Sequence, residues 1–168
     1  RTLLSLTCSP DNEAIQDINF ALNEISVSRK ETTSMITIET YLNDEYLNSY
    51  WADGLIIATP TGTTGYSMSC GGPILTPDVK SIVITPIAPH NLNARPLVVP
   101  DETEIRLKVS GRDDHYMVSL DSRIISVKNE TVLLIKKSPF EINMVEIPEK
   151  TFLKTLRNKL FWGEDRRN

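Results

Sequence analysis

Two cysteines, Cys8 and Cys70, are all that 168 residues contain. They are too few for a disulfide framework or a zinc site, and reduced thiols in a cytosolic protein are the reading that fits them. Basic runs are absent as well. With 18 Lys and Arg against 22 Asp and Glu, the formal charge of -4 argues against nucleic acid as a partner, because phosphate backbones are held mainly by Lys and Arg. No segment approaches the ~18 consecutive apolar residues of a membrane helix, and no signal-peptide pattern opens the chain. A soluble, cytoplasmic protein is therefore expected. No internal repeat or low-complexity linker divides the sequence, and its length suits one domain with a core of its own.

Against that background one stretch stands out. Leu55 to Ala58 is an apolar run that reads as a strand covered on both faces, and Pro60 and Gly62 then force the chain out of the sheet. The turn that follows, Thr59-Pro60-Thr61-Gly62-Thr63-Thr64-Gly65, carries four threonines and small side chains throughout. Hydroxyls and closely approaching backbone N–H groups suit a phosphate, a ribose or an adenine edge. A Pro/Gly turn between sheet elements has the same composition, and neither G-x-x-x-x-G-K-[ST] nor G-x-G-x-x-G is present.

The remaining pattern is mostly β. Apolar and polar residues alternate in Ile36 to Glu39 and in Ile105 to Val109. Asn43-Asp44-Glu45 and Gly111-Arg112-Asp113-Asp114 carry turn chemistry, and the second is expected to join antiparallel partners, with Tyr116 to Leu120 returning beside Ile105 to Val109. Further strands are expected at Leu3–Thr7, Ala21–Ser28, Leu55–Thr59, Ser81–Thr85, Ile124–Val127 and Val132–Lys136. So many short strands imply a mainly β fold, a two-sheet β-sandwich. One helix is expected near the end, from Thr151 to Trp162. Phe152, Leu153, Leu156, Leu160 and Phe161 share its apolar face, Gly163 caps it, and the charged tail from Glu164 to Asn168 frays.

Residue order in the threonine segment is more specific than its composition. From Asp53 onward, Asp-Gly-Leu-Ile-Ile-x-Thr-Pro-Thr-Gly-x-Thr-x-Tyr-x-x-Ser-x-Gly-Gly-Pro resembles the signature of the NAD kinase family. A second block, from Ile84 to Pro100, is similar to that family's Thr-Pro-Ile-x-Pro-His-x-Leu-x-x-Arg-Pro segment at its usual spacing. Ala21-Leu22-Asn23-Glu24 resembles its Asn-Glu motif. The resemblance runs from about Ala21 to the C-terminal tail. It implies an enzyme that moves the γ-phosphoryl of ATP, or of polyphosphate, to the 2′-hydroxyl of the adenosine ribose of NAD, with Mg²⁺ or another divalent cation accompanying the ATP. Family members open with an α/β domain whose Gly-Gly-Asp-Gly aspartate acts as the base. That motif is missing here, so the chain, which starts at Arg1 without methionine, is expected to be a C-terminal substrate-binding and oligomerisation domain. On its own it is expected to be inactive, with no catalytic residue and no metal ligand.

The resemblance also distributes roles. Asn23 and Glu24 would meet the substrate, Glu24 accepting from ribose hydroxyls. Thr64, Gly65, Tyr66, Ser67, Met68 and Ser69 would lie against the adenosine half, with Tyr66 either an apolar wall for the ligand or core, and Ser67 and Met68 contributing backbone. Asp53, with the Ala88 backbone, would reach the nicotinamide end of NAD bound to a neighbouring subunit, which implies a homo-oligomer, dimer or tetramer. Gly65 stands where alanine is usual. Arg123 stands where a glutamine often contacts substrate, and its charge can meet a phosphate of NADP or a carboxylate. Asp121 with Ser122 resembles the family's Asp-Gly or Asp-Ser pair in a strand, which lies either near the ligand or on ordinary surface, and His90 is expected to anchor a loop. Two other classes fit less of the sequence: a lipid or sphingoid kinase of the same superfamily, and a non-catalytic dinucleotide-sensing or oligomerisation module.

Overall fold

Residues that alternate between apolar and polar can satisfy both water and a core only by lying in a sheet with one buried face. The computed structural model describes residues 1–31, 34–145 and 147–162. In chain order it contains β1 (Leu4–Ser9), α1 (Glu13–Gln16), β2 (Phe20–Ala21), β3 (Glu24–Ser28), β4 (Ile36–Leu42), β5 (Glu45–Ala52) and β6 (Gly54–Ala58). A 3-10 turn (Thr61–Thr64), α2 (Tyr66–Ser69), β7 (Ser81–Ile87), β8 (Leu97–Pro100), β9 (Ile105–Ser110), β10 (His115–Leu120), β11 (Arg123–Lys128), β12 (Val132–Lys137) and α3 (Phe152–Leu160) follow. The strands form two six-stranded sheets in the orders β2-β1-β12-β9-β4-β5 and β11-β10-β3-β6-β7-β8. The expected mainly β, two-sheet architecture with a C-terminal helix is the one observed.

Both sheets feed one core. From the first come Leu4, Leu6, Ile38, Leu107, Leu133 and Ile135, and from the second Ile25, Val27, Leu55, Ile57, Ile84 and Val118, all at 0% exposure. β6 differs from its neighbours in being buried at all five positions. Leu55 and Ile57 face the core, so alternation turns Ile56 to the other side, where α2 covers it. The sequence expectation of a strand covered on both faces is met.

Two expectations are corrected. The Gly111–Asp114 turn does not close a hairpin: β9 pairs with β4 and β12, whereas β10 pairs with β3 and β11, so this turn carries the chain from one sheet to the other. Alternation records that a residue faces the core but not from which side, and β9 and β10 meet the same core from opposite sheets. Ala21–Ser28 is not one strand either. β2 pairs with β1 in the first sheet and β3 with β6 and β10 in the second, with a bend at Leu22 and Asn23 between them.

The unanticipated strands, β5 and β8, are edges with a paired neighbour on one side only. β5 buries only Tyr50 and Ala52, near its end, too short an alternation to mark the whole strand. Its turn with β4 is legible, because Asn43 and Asp44 adopt φ of 49° and 66°, the left-handed pair that a tight hairpin needs. In α3, Thr151 accepts from the Lys154 N–H as N-cap, and Phe161 at φ 56° takes the left-handed C-terminal position. Gly163 and the 164–168 tail lie outside the described residues. The expected apolar face divides: Phe152, Leu156 and Leu160 are half-buried, while Leu153 and Phe161 are exposed. Among the described residues no helix is long and apolar enough to cross a membrane.

Because Ile57 is fully buried at the centre of the shared core, Ile57→Ala is expected to destabilise the domain by about 2–5 kcal/mol. A urea titration checks this, and a change of under about 1 kcal/mol would show that the two sheets do not share one packed interior.

Candidate functional site

Where β6 ends, its threonines take over the hydrogen bonding of the sheet. The Thr59 N–H donates to the Asn23 carbonyl at 2.9 Å, and its hydroxyl donates to the Leu22 carbonyl at 2.6 Å while accepting from the Gly62 N–H at 3.2 Å. The turn is thereby pressed against the start of β3. A Cβ on Gly62 would stand 2.0 Å from the Asn23 carbonyl oxygen, so no side chain fits there. Thr63 is buried, donating to the Pro60 carbonyl at 2.7 Å and accepting from the Leu75 N–H at 3.0 Å. Ser67, also buried, shares a 2.8 Å hydrogen bond with Thr85 on β7, and a Cβ on Gly72 would come within 2.2 Å of its hydroxyl. Thr59, Thr63 and Ser67 therefore hold the loop in shape. Thr64, Gly65, Tyr66 and Ser69 are exposed and Met68 is half-buried, so these are free to meet a ligand. Tyr66 is 47% exposed and is not core.

Asn23 and Glu24 sit directly behind this loop, and Asp121 sets their position. In the β10–β11 turn Asp121 adopts φ 53°. Its carboxylate accepts from three successive backbone N–H groups: Leu22 at 3.0 Å, Asn23 at 2.7 Å and Glu24 at 3.2 Å. The Asp121 N–H in turn donates to the Glu24 carbonyl at 3.0 Å. Sequence reasoning left Asp121 between ligand and surface, and the structure makes it the anchor of the Asn23–Glu24 bend. Nothing in local periodicity signals this, since the partners lie about a hundred positions apart. Glu24 Oε2 is buried without a hydrogen-bond partner among the described residues. Burial, and next the negative charge of Asp121, push the Glu24 carboxyl above its ordinary range.

Arg123 has partners other than the phosphate or carboxylate expected for it. Its guanidinium donates to the carbonyls of Leu120 at 3.3 Å and Ile18 at 3.2 Å and to that of Phe20, and it lies over the Phe20 ring at 5.6 Å. Asp53 and Ala88 are brought together at the end of the second sheet away from Glu24, where Gly54 pairs with Ile87. Asp53 forms a 3.0 Å ion pair with Arg29, and Ala88 takes φ 43°. Burial first, and then the charges of Cys70 and Asp53, push the Tyr66 hydroxyl above its ordinary range. His90 anchors its loop as expected: its ring lies 4.5 Å from that of Trp51, and its N–H donates to the Trp51 carbonyl. On the loop's other flank an open cleft of about 510 Å³ separates it from α3. Thr61, Thr64, Met68, Met144, Phe152 and Leu156 line it. Among the described residues no group of three or more His, Cys, Asp or Glu could hold a metal.

The domain thus has two sheets, with an Asn-Glu bend and a hydroxyl-lined loop at one end of β6. The ATP-NAD kinase C-terminal domain matches residues 22–147, and the chain belongs to that family. It is 79% identical over its full length to the NAD kinase of Flavobacterium psychrophilum and 61% identical to that of Christiangramia forsetii, covering 57% of each. The chain thus spans little more than half the length of the curated relatives it matches. Among solved structures, yeast NADH kinase complexed with NADH superposes with a TM-score of 0.83 at 24% identity, over 99% of this chain and 51% of that one. An NAD kinase from Archaeoglobus fulgidus in complex with ATP superposes at 0.68 with 30% identity, over 83% of this chain and 52% of that one.

The raised Glu24 carboxyl has a stability consequence. Unfolded, it titrates near 4.5; folded, it holds its proton to higher pH, so the native state loses stability as pH rises through that window. Glu24→Gln removes the penalty. The variant is expected to gain stability over the native chain at about pH 7.5 and to gain little at about pH 4, as read by urea unfolding at both values. An equal effect at the two values would mean that burial of the charge is not what strains this position.

Proposed function

We propose that the protein to which this chain belongs is an NAD kinase, a transferase that moves the γ-phosphoryl of ATP or polyphosphate to the 2′-hydroxyl of the adenosine ribose of NAD and so makes NADP in the cytoplasm. This chain is its substrate-binding domain. The observation that carries the reading is the convergence of Asn23, Glu24 and the Thr61–Tyr66 loop at one end of β3 and β6, in a chain 79% identical over its whole length to an NAD kinase.

In this reading the Glu24 carboxylate, with Oε2 lacking a protein partner, accepts from ribose hydroxyls, and Asn23 donates and accepts beside it. Thr64 and the N–H groups of Gly65 to Ser69 face the adenosine, with the Tyr66 ring along its side. Asp53 and Ala88 serve a dinucleotide bound to a neighbouring copy, which requires a homo-oligomer. The acceptor's base belongs to a preceding domain with a Gly-Gly-Asp-Gly motif, so what this chain contributes is positioning of the 2′-hydroxyl. The described residues form no group of three or more His, Cys, Asp or Glu that could hold a metal; a divalent cation accompanying ATP would neutralise charge on its phosphates.

The full-length protein with NAD, ATP and Mg²⁺ should produce NADP in an NADP-specific cycling assay, while residues 1–168 alone should produce none. Glu24→Ala should lower kcat/KM for NAD by roughly 10- to 100-fold, the loss of one hydrogen bond to a charged group. Absence of NADP from the full-length protein, or an unchanged kcat/KM, would defeat the reading. Light scattering at tens of micromolar should find an oligomer of the full-length protein, and a strict monomer would remove Asp53 and Ala88 from the ligand set.

A further inference from the structure

The segment from Ile18 to Asn23 carries the chain out of the first sheet and into the second, and little in its own secondary structure holds it. β2 is two residues long and pairs only with β1, through Phe20 and Ala21. Leu22 and Asn23 belong to no strand. A crossing of this kind leaves carbonyls and N–H groups without ladder partners, and these must be satisfied elsewhere.

Leu6 takes the Asn19 carbonyl and Thr59 those of Leu22 and Asn23, and five further groups fall to the two charged residues of a single turn. On one side of Ser122 the Asp121 carboxylate takes the N–H groups of Leu22, Asn23 and Glu24. On the other side the Arg123 guanidinium takes the carbonyls of Ile18 and Phe20 and covers the Phe20 ring. An anion collects three donors and a cation two acceptors of one continuous stretch. The division has a geometric basis, because a planar guanidinium can reach two carbonyls two residues apart while its Nε returns to Leu120 in its own turn. The stretch so gripped ends at the Asn23 carbonyl, which receives the Thr59 N–H and lies 2.0 Å from where a Gly62 Cβ would stand. A shift of the crossing therefore moves both walls of the site together.

We propose that Arg123 is a positioning residue for dinucleotide affinity: with Asp121 it forms a two-charge clamp that fixes the Ile18–Glu24 crossing, and through it the Asn23–Glu24 bend and the threonine loop. Resting on the functional reading above, this assigns Arg123 a role in substrate recognition without contact to substrate. It also separates two uses of the same charge. A cation that touched a ligand phosphate would be replaceable by lysine. A fork that spans two carbonyls would not, since an ammonium on a flexible stem offers its donors from one point.

The test uses the full-length protein with Arg123→Ala and Arg123→Lys. Both variants are expected to raise KM for NAD by about 10-fold, while KM for ATP and kcat stay within about twofold of the native values. Hydrogen exchange at the Leu22, Asn23 and Glu24 amides, measured without ligand, should quicken by about 10-fold in both. Native KM in Arg123→Lys beside a loss in Arg123→Ala would overturn the proposal in favour of direct charge contact. Unchanged amide exchange would overturn the clamp itself, and equal loss toward NAD and ATP would show a general structural role instead. If Arg123→Ala does not fold, Arg123→Lys carries both measurements. If the native protein makes no NADP, the functional reading fails by itself, and amide exchange alone decides the clamp.

Discussion

Three consecutive backbone N–H groups, from Leu22, Asn23 and Glu24, end on one carboxylate, that of Asp121. Strand β2 lies in one sheet and β3 in the other, so the chain between them loses its ladder just where it crosses the edge of the core. Charge-assisted hydrogen bonds are stronger than those between neutral groups, and here they replace a missing strand. Once the crossing is fixed, β3 enters its sheet with Glu24 opposite Ala58, and Thr59 can close onto Leu22 and Asn23. The strand register, the threonine turn and the site all follow from that anchor.

The same arrangement explains why the site is not a point of maximum stability. Anchoring the bend places Glu24 next to the Asp121 charge and buries Oε2 without a protein partner. Folding alone would favour a neutral group there. A carboxylate held ready in that position suits a polyhydroxyl ligand, and perturbed carboxyls of this kind tend to mark functional sites. The loop follows a related division of labour, in which buried hydroxyls give it shape and exposed ones remain for a ligand. Gly62 and Gly72 belong to the shaping group, since a Cβ at either would strike backbone or a hydroxyl.

The sequence by itself determined the class of the fold and the identity of the family. Alternation in β9 and the double-faced burial of β6 follow directly from the hydrophobic effect acting at period 2, and they were legible without coordinates. Asn43 and Asp44 announced their turn because few residues tolerate φ above zero. The ordered residues from Asp53 to Pro73 and from Ile84 to Pro100 marked the family, and the threonine turn does close onto Leu22 and Asn23.

Tertiary structure alone decided which sheet each strand joined and which polar residues work on protein and which face outward. Inward-facing residues are indistinguishable between the two sheets of a sandwich, so the Gly111–Asp114 turn looked like a hairpin and proved to be a crossing. Edge strands β5 and β8 bury only Tyr50, Ala52 and Val99, too few for pattern reading to act on. What Asp121 and Arg123 hold within the protein was not legible, because their partners are main-chain groups about a hundred residues away. Backbone carbonyls and N–H groups carry no side-chain signature, so no local pattern encodes a hydrogen bond to one a hundred residues away, and only the folded chain brings the two together.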